Sequence, residues 1–215
     1  MATLTGRQIA DEKLHGWAYL LGGLQTRIET GDFATGLAIV DAIGAAAEDL
    51  GHHPDLDLRR DHVDVRLTSH DERGVTERDV RLARAVTSVV EAANVRLSEE
   101  GVSRLELALD TPSQESVIPF WAAVLAMEHA AGPGFGDELR DPHLPAVWFQ
   151  ASGSEEPRQR WHPDVWVDPA QVQPRIDAAL AAGGTLVSDA EAPNFWVLAD
   201  PEGNRVCLCT WQERD

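Results

Sequence analysis

Glu48, His52, His53, His70 and Asp79 are the residues of this chain whose types and spacing are best suited to chemistry. Four of the chain's eight histidines, His52, His53, His62 and His70, lie between Glu48 and Asp79. Imidazole gives and takes protons near neutral pH without help, and it is also a common metal ligand. Rings beside carboxylates therefore allow two chemistries. One is a metal site of two or three imidazoles and a carboxylate. The other is a metal-free acid/base pocket in which each ring protonates or deprotonates a different substrate atom. Adjacent rings such as those of His52 and His53 diverge in an extended stretch, so sharing one ion would need a bend. Taken singly, each residue also has a structural reading. Pro54 disfavours helical geometry at His53 and ends a helix. His70 reads as a surface residue at a strand end, and Asp79 as a helix cap.

The elements that must position these groups can be read from local pattern. Leu4 to His15 reads as a helix, with Thr5 as cap and Gln8 completing a capping box. Trp17–Leu20 and Leu24–Glu29 read as strands around Gly22-Gly23, a hairpin signal. Leu24, Thr26 and Ile28 should share one face of the second strand. Asp32 caps a long helix whose apolar stripe is predicted as Phe33, Leu37, Val40, Ile43, Ala47 and Leu50, with Gly51 as its stop. Glu48 then falls in the last helical turn, where the dipole prefers cations, and His52 just beyond it. His62–Leu67 alternates as a half-buried antiparallel strand, with Val63, Val65 and Leu67 inward. His62 shares its polar face and is left out of the site. His70 follows that strand's end, and Asp71–Gly74 is a turn. Thr76 caps the next helix with Asp79 at the capping-box position, and Val80, Ala83, Val86 and Val90 form its inner face. The helix end and the strand end need only be neighbours for the five site residues to meet.

The polar segment Arg96–Ser103 reads as a domain boundary, giving domains over 1–97 and 102–215. In the second part, Leu105–Leu109, Ala146–Gln150, Asp164–Asp168, Thr185–Val187, Phe195–Leu198 and Val206–Thr210 read as strands. Gln114–Met127 and a segment beginning near Pro169 read as helices. Ala131–Pro145 is a Gly- and Pro-rich loop with room for a short strand at its centre, and Asp200–Asn204 a turn between the last two strands. Helices alternate with clustered strands in both parts, as in α+β folds.

Whole-chain properties bound the partners. At 215 residues the chain suits two domains of about 100 residues each. Its net charge of −18 argues against nucleic acid and anionic membrane as partners. No run of about 18 apolar residues is present, and Met1–Arg7 has no apolar signal core. Cys207 and Cys209, two apart on a strand, have Cα atoms about 6.6 Å apart, so two free thiols are expected. These features suit a reducing, cytoplasmic setting.

Glu48-x-x-x-His52-His53-Pro54, His70 and Asp79 resemble the signature of pterin-4a-carbinolamine dehydratases. Gly31-Asp32-Phe33, Val63-Asp64-Val65 and Gly74-Val-Thr-Glu-Arg-Asp79 fit as well. The resemblance covers roughly residues 4–95. It implies an antiparallel sheet with helices on one face, and a homodimer or homotetramer joined through sheets and helices. It implies dehydration of a small-molecule pterin, 4a-hydroxytetrahydropterin, to the quinonoid dihydropterin, with no metal or organic cofactor. By position it implies that His52 and His70 carry the main proton transfers. His53 would bind the pterin and assist, Glu48 would orient or charge-stabilise an imidazole, and Asp79 would also hold His70. Arg60 and Leu56 stand where the family commonly has aromatic residues.

Residues 102–215 resemble glyoxalase-like members of the vicinal-oxygen-chelate superfamily. The resemblance rests on Leu107–Asp110, Phe120–Leu125, Trp161-His162-Pro-Asp164-Val165 and Asp200–Asn204. It implies two βαβββ modules around a cupped sheet, often with a divalent metal in the cup. His162 stands where such proteins often place a histidine, and Cys207 stands near the place of a common metal-binding Glu. The first strand has no histidine, and the sequence does not name three convergent ligands. Trp148, Trp161, Trp166, Phe195 and Trp196 either line the cup or pack as core. The expected role is a small-molecule-binding or regulatory partner domain. Two alternatives to the dehydratase reading follow. One is a metal-dependent enzyme acting through the second part, and the other a non-catalytic protein that binds a pterin or another metabolite.

Overall fold

The computed structural model describes residues 2–132, 136–141, 144–152, 161–199, 203 and 205–214. The expected loop 152–160 and turn 200–204 fall mostly outside the described residues. The chain divides into two compact units. The first comprises Met1–Ser103 with Val167–Gln171 and Thr210–Asp215, and the second Arg104–Trp166 with Val172–Cys209. Among the described residues, no helix is long and apolar enough to cross a membrane.

The first unit runs α1 (Gly6–Asp11), β1 (Ala18–Leu20), β2 (Gly23–Glu29), α2 (Phe33–Leu50), β3 (Asp55–Leu58), β4 (His62–Leu67), α3 (Glu77–Ala92) and β5 (Arg96–Ser98). Its antiparallel sheet has the order β1-β2-β4-β3, and β5 also pairs with β2. The predicted caps are in place. Thr5 and Gln8 form a capping box on α1, and Asp32 accepts from the Thr35 amide at the start of α2. The hairpin closes through Leu21 and Gly22, whose φ values of 46° and 67° are both positive. That is the signature of a two-residue turn matched to strand twist.

Strand register explains the core. Leu24 pairs with Leu67, Thr26 with Val65 and Ile28 with Val63, so one face of β2 and β4 is apolar. The opposite face pairs Arg27 with Asp64, joined by two hydrogen bonds of 2.7 Å. Helices α2 and α3 cover the apolar face through Ile39, Ile43, Ala47, Leu82, Ala83, Val86 and Val90. Burying these side chains is the main stabilising term for the unit.

Two expectations need correction. The buried stripe of α2 is Gly36, Ile39, Ile43 and Ala47, whereas Phe33 is 53% and Leu37 55% exposed. The helix closes on the sheet through its small residues: a Cβ on Gly36 would stand 2.7 Å from Leu58 Cδ1. Arg96–Ser98, at the start of the segment read as the domain boundary, is a strand of the first unit. Leu97 pairs with Ile28, and Arg96 binds Glu29 at 2.7 and 3.0 Å. A three-residue strand is too short to announce itself by alternation. Edge strand β3 was likewise hidden in a charged stretch.

The rest of the chain runs β6 (Arg104–Thr111), α4 (Gln114–Leu125), β7 (Glu128–Gly132), β8 (Gly136–Arg140), β9 (Ala146–Ala151), β10 (Trp161–Trp166), α5 (Pro169–Ala181, in the second unit from Val172), β11 (Thr185–Ser188), β12 (Phe195–Ala199) and β13 (Arg205–Cys209). This is βαβββ twice. The sheet order is β11-β12-β13-β10-β6-β9-β8-β7, and the modules meet where β6 and β10 pair antiparallel. The short strand at the centre of Ala131–Pro145 is β8, β7 begins ahead of that segment at Glu128, and β10 begins at Trp161, earlier than predicted.

Side chains alternate across a strand, and the register sorts the aromatic residues accordingly. Leu107, Leu109, Val147, Phe149 and Trp161 join Ile118 and Trp121 of α4 in the apolar cluster. Trp161 packs edge-on to Trp121 at 5.0 Å, so it is core and does not line the cup. Trp196 pairs with Leu208 and shares that face. Trp148, His162, Asp164, Trp166 and Phe195 fall on the other face, together with Glu106, Asp110, Glu138 and Cys207.

Candidate active site

His52 is positioned by the end of α2. Gly51 adopts a left-handed conformation (φ 60°), and the His52 amide then donates back to the Ala47 carbonyl at 3.1 Å. This reversal satisfies an orphan carbonyl and ends the helix. His52 is 9% exposed, and its Nε2 lies 2.7 Å from Asp79 Oδ1.

Asp79 is positioned by the start of α3 and is 0% exposed. Its Oδ2 accepts from the Thr76 amide at 2.7 Å, which is the capping-box contact. The same oxygen accepts from the Ser69 hydroxyl at 2.7 Å and lies 3.2 Å from the Thr76 hydroxyl. Ser69 and Thr76 are themselves 2.8 Å apart and buried. One oxygen of Asp79 is thus committed to the helix start and the strand end, and the other to His52. Because a carboxylate only accepts, the contact assigns a proton to His52 Nε2, and in the neutral ring this leaves Nδ1 as the acceptor nitrogen.

The other predicted residues are placed differently. His53 Nε2 lies 3.1 Å from Glu48 Oε1, and both side chains are largely exposed. His70 is exposed and follows Ser69, whose bridge to Gly74 opens the turn. The structure therefore joins His52 to Asp79 and His53 to Glu48, with His70 one residue from the buried network. Asp79 engages His52 and not His70, contrary to the role expected for it. Ser69 was missed, and its only sequence signal is its place directly before His70. His62 contacts Asp61 at 2.8 Å from the polar face of β4. Leu56, where an aromatic was expected, packs against the core.

The second unit has its own polar cluster. His162 Nδ1 lies 3.2 Å from Asp164 Oδ1, and Nε2 lies 3.5 Å from Asp110 Oδ1. Ligand atoms of His162, Asp164 and Cys207 all fall within 4.8 Å of one another. The hydrogen bond to Asp164, followed by that to Cys207, pushes the His162 pKa up to about 10. Trp148 meets the His162 ring edge-on at 6.0 Å, and Trp166 donates to Glu106 at 2.7 Å. One imidazole, one thiol and one carboxylate fit a four-coordinate cation by donor type.

Comparison with known proteins agrees with this division. Residues 2–89 match the family model described as pterin 4 alpha carbinolamine dehydratase, and residues 106–209 match that of a glyoxalase-like domain. A relative from Aquifex aeolicus, provisionally named a pterin-4-alpha-carbinolamine dehydratase, is 38% identical over 79 residues, covering 37% of this chain and 80% of its own. A relative from Koribacter versatilis with the same name is 41% identical over 76 residues, covering 35% and 81%. Among solved structures, a transcriptional coactivator/pterin dehydratase from Brucella melitensis is 29% identical, with TM-score 0.40, covering 41% of this chain and 98% of that one. A glyoxalase/bleomycin resistance protein/dioxygenase superfamily member from Vibrio splendidus is 15% identical, with TM-score 0.36, covering 51% and 99%. Through its first half the chain belongs to the pterin-4a-carbinolamine dehydratase family, and its second half carries a glyoxalase-like domain.

Proposed function

We propose that the first domain, residues 1–97, dehydrates a 4a-hydroxytetrahydropterin to the quinonoid dihydropterin. The reaction removes a ring N–H proton, breaks the bond from C4a to the hydroxyl oxygen, and forms a C=N bond. The hydroxyl leaves as water after taking a proton from an acid. The observation that carries this reading is the buried 2.7 Å contact between His52 and Asp79. With its Nε2 proton held by Asp79, His52 presents Nδ1 as the base for the ring N–H. His70, exposed and next in the chain to Ser69 of that network, supplies the proton to the departing hydroxyl. His53, steadied by Glu48, binds the pterin beside them. Each proton transfer of this kind contributes about 10²–10⁴-fold.

Stopped-flow dehydration of a 4a-hydroxypterin tests the proposal. The wild-type chain should accelerate the reaction, and a His52→Ala/His70→Ala protein should lose the acceleration. No acceleration by the wild type sinks the reading, and tight pterin binding without turnover would select a binding protein instead.

The second domain, residues 102–215, is assigned a small-molecule-binding role. Cys207 and Cys209, neither of them in a disulfide, support a reducing, cytoplasmic setting. A homodimer or homotetramer is supported by α2, where Phe33 and Leu37, with Gly44 two turns on, recur at helical spacing. Phe33 and Leu37 are exposed, and a Cβ on Gly44 would meet nothing within 4 Å. Apolar stripes left on a surface mark interaction sites.

A further inference from the structure

His70 stands exposed on a turn, yet the proposed chemistry needs its ring in a set place relative to that of His52. We propose that Asp71 and Arg78 are positioning residues: their ion pair fastens the tip of the His70 turn to the first turn of α3 and so holds His70 beside the His52–Asp79 pair. The inference rests on the dehydratase reading and adds to it the means by which the proton donor is held.

Both chain neighbours of His70 are tied to the same helix start. On one side, the buried Ser69 hydroxyl donates to Asp79 Oδ2 at 2.7 Å. On the other, Arg78 Nη2 donates to Asp71 Oδ1 at 2.5 Å. Arg78 and Asp79 are consecutive residues in the first turn of α3, so the two bonds end side by side on one rigid element. Consecutive Cα atoms are only about 3.8 Å apart, so a residue with both neighbours anchored has little backbone freedom. The anchor is itself well fixed. The Arg78 amide donates to the Thr76 hydroxyl at 3.1 Å, and the Thr76 amide donates to Asp79 at 2.7 Å.

The backbone secures the feet of the turn and leaves its tip to the ion pair. The Ser69 amide donates to the Gly74 carbonyl at 2.9 Å, the Glu72 amide to the Ser69 carbonyl at 3.1 Å, and the Leu4 amide to the Val75 carbonyl at 2.7 Å. His70 and Asp71 lie between these contacts. The side chains of the pair are 61% exposed at Asp71 and 27% at Arg78, and pairs this open add little stability. Its consequence is therefore geometric. The hydrogen bond from Arg78 holds the Asp71 carboxyl below the usual carboxylate range, so the pair is intact wherever imidazole titrates. Misplacing a reacting group by about 1 Å costs about 10²-fold in rate, and the pair bears on just such a displacement of His70.

Stopped-flow dehydration and thermal unfolding of the full chain should compare Asp71→Arg, Arg78→Asp and the double variant that carries both changes. Each single reversal should lower kcat about 10–100-fold, with KM within a few-fold and the melting temperature nearly unchanged. The double variant restores the pair with its polarity exchanged and should recover kcat to within a few-fold of wild type. In a His70→Ala background, Asp71→Arg should cost no further turnover, because the pair acts through His70, whereas a merely structural role would lower turnover in both backgrounds. Should a reversed variant fail to fold, Asp71→Ala removes the pair without reversing a charge and carries the same expectations. Single variants within a few-fold of wild type, a double variant that does not recover, or a further loss in the His70→Ala background would each overturn the inference while leaving the dehydratase reading in place. No acceleration by the wild type overturns both.

Discussion

Replacing Asp79 separates the structural from the chemical task of one carboxylate. Asp79→Ala removes the capping-box acceptor, at about 1 kcal/mol. It also strands buried donors on His52 and Ser69, at about 1–3 kcal/mol each. Ser69 can turn to Thr76, 2.8 Å away, which trims that sum. The expected loss is about 3–5 kcal/mol, the usual range for deleting one partner of a buried pair. Asp79→Asn is more informative. Its single oxygen is required where Oδ2 now meets the Thr76 amide at 2.7 Å and Ser69 at 2.7 Å. Its NH₂ group must then face His52 Nε2, donor against donor, unless the ring shifts its proton to Nδ1. That tautomer removes the proposed base while most of the packing survives. Stability should fall by only about 1–2 kcal/mol, whereas dehydration should slow about 10²–10⁴-fold. Urea unfolding and stopped-flow dehydration on the same preparations measure both. An Asp79→Asn protein that turns over within a few-fold of wild type would refute the claim that Asp79 sets the His52 tautomer. An Asp79→Ala protein as stable as wild type would refute the network.

Four further outcomes follow from the structure. Gly51→Ala should cost about 1–2 kcal/mol, because its φ of 60° is left-handed and a side chain there is strained. A Cβ would meet no atom within 4 Å, so thermal unfolding reads the backbone cost alone, and activity should fall as His52 is displaced. His70→Ala should leave stability within about 0.5 kcal/mol, as for other exposed sites, yet abolish most turnover in the stopped-flow assay. His53→Ala should raise KM more than it lowers kcat, since its pairing with Glu48 is exposed. Phe33→Asp/Leu37→Asp should lower the mass measured by light scattering to that of the monomer, and an unchanged mass would exclude α2 as the assembly surface.

Sequence alone determined the parts of this protein whose causes are local. The caps Thr5, Asp32 and Thr76, the stop at Gly51 and the alternation over His62–Leu67 depend on hydrogen bonds and side-chain periods within a few residues. Those signals sufficed to put His52 at a helix end, His70 past a strand end and Asp79 at a helix start. The histidine motif likewise carried the family. Tertiary packing decided which of these groups meet. That Asp79 takes His52 and leaves His70 depends on where the end of α2 falls against the start of α3. The small residues Gly36 and Ala47 help fix that placement by letting the helix close on the sheet, and the same close approach chose the buried face of α2. The period fitted Phe33 and Leu37 equally well and could not tell bulk from fit. In the second half, His162 and Cys207 were visible as isolated candidates, but Cys207 came to lie beside His162 and Asp164 only through the register of β10 against β13. Pairing between strands distant in the chain is set by the packing of the whole sheet, and no local pattern records it.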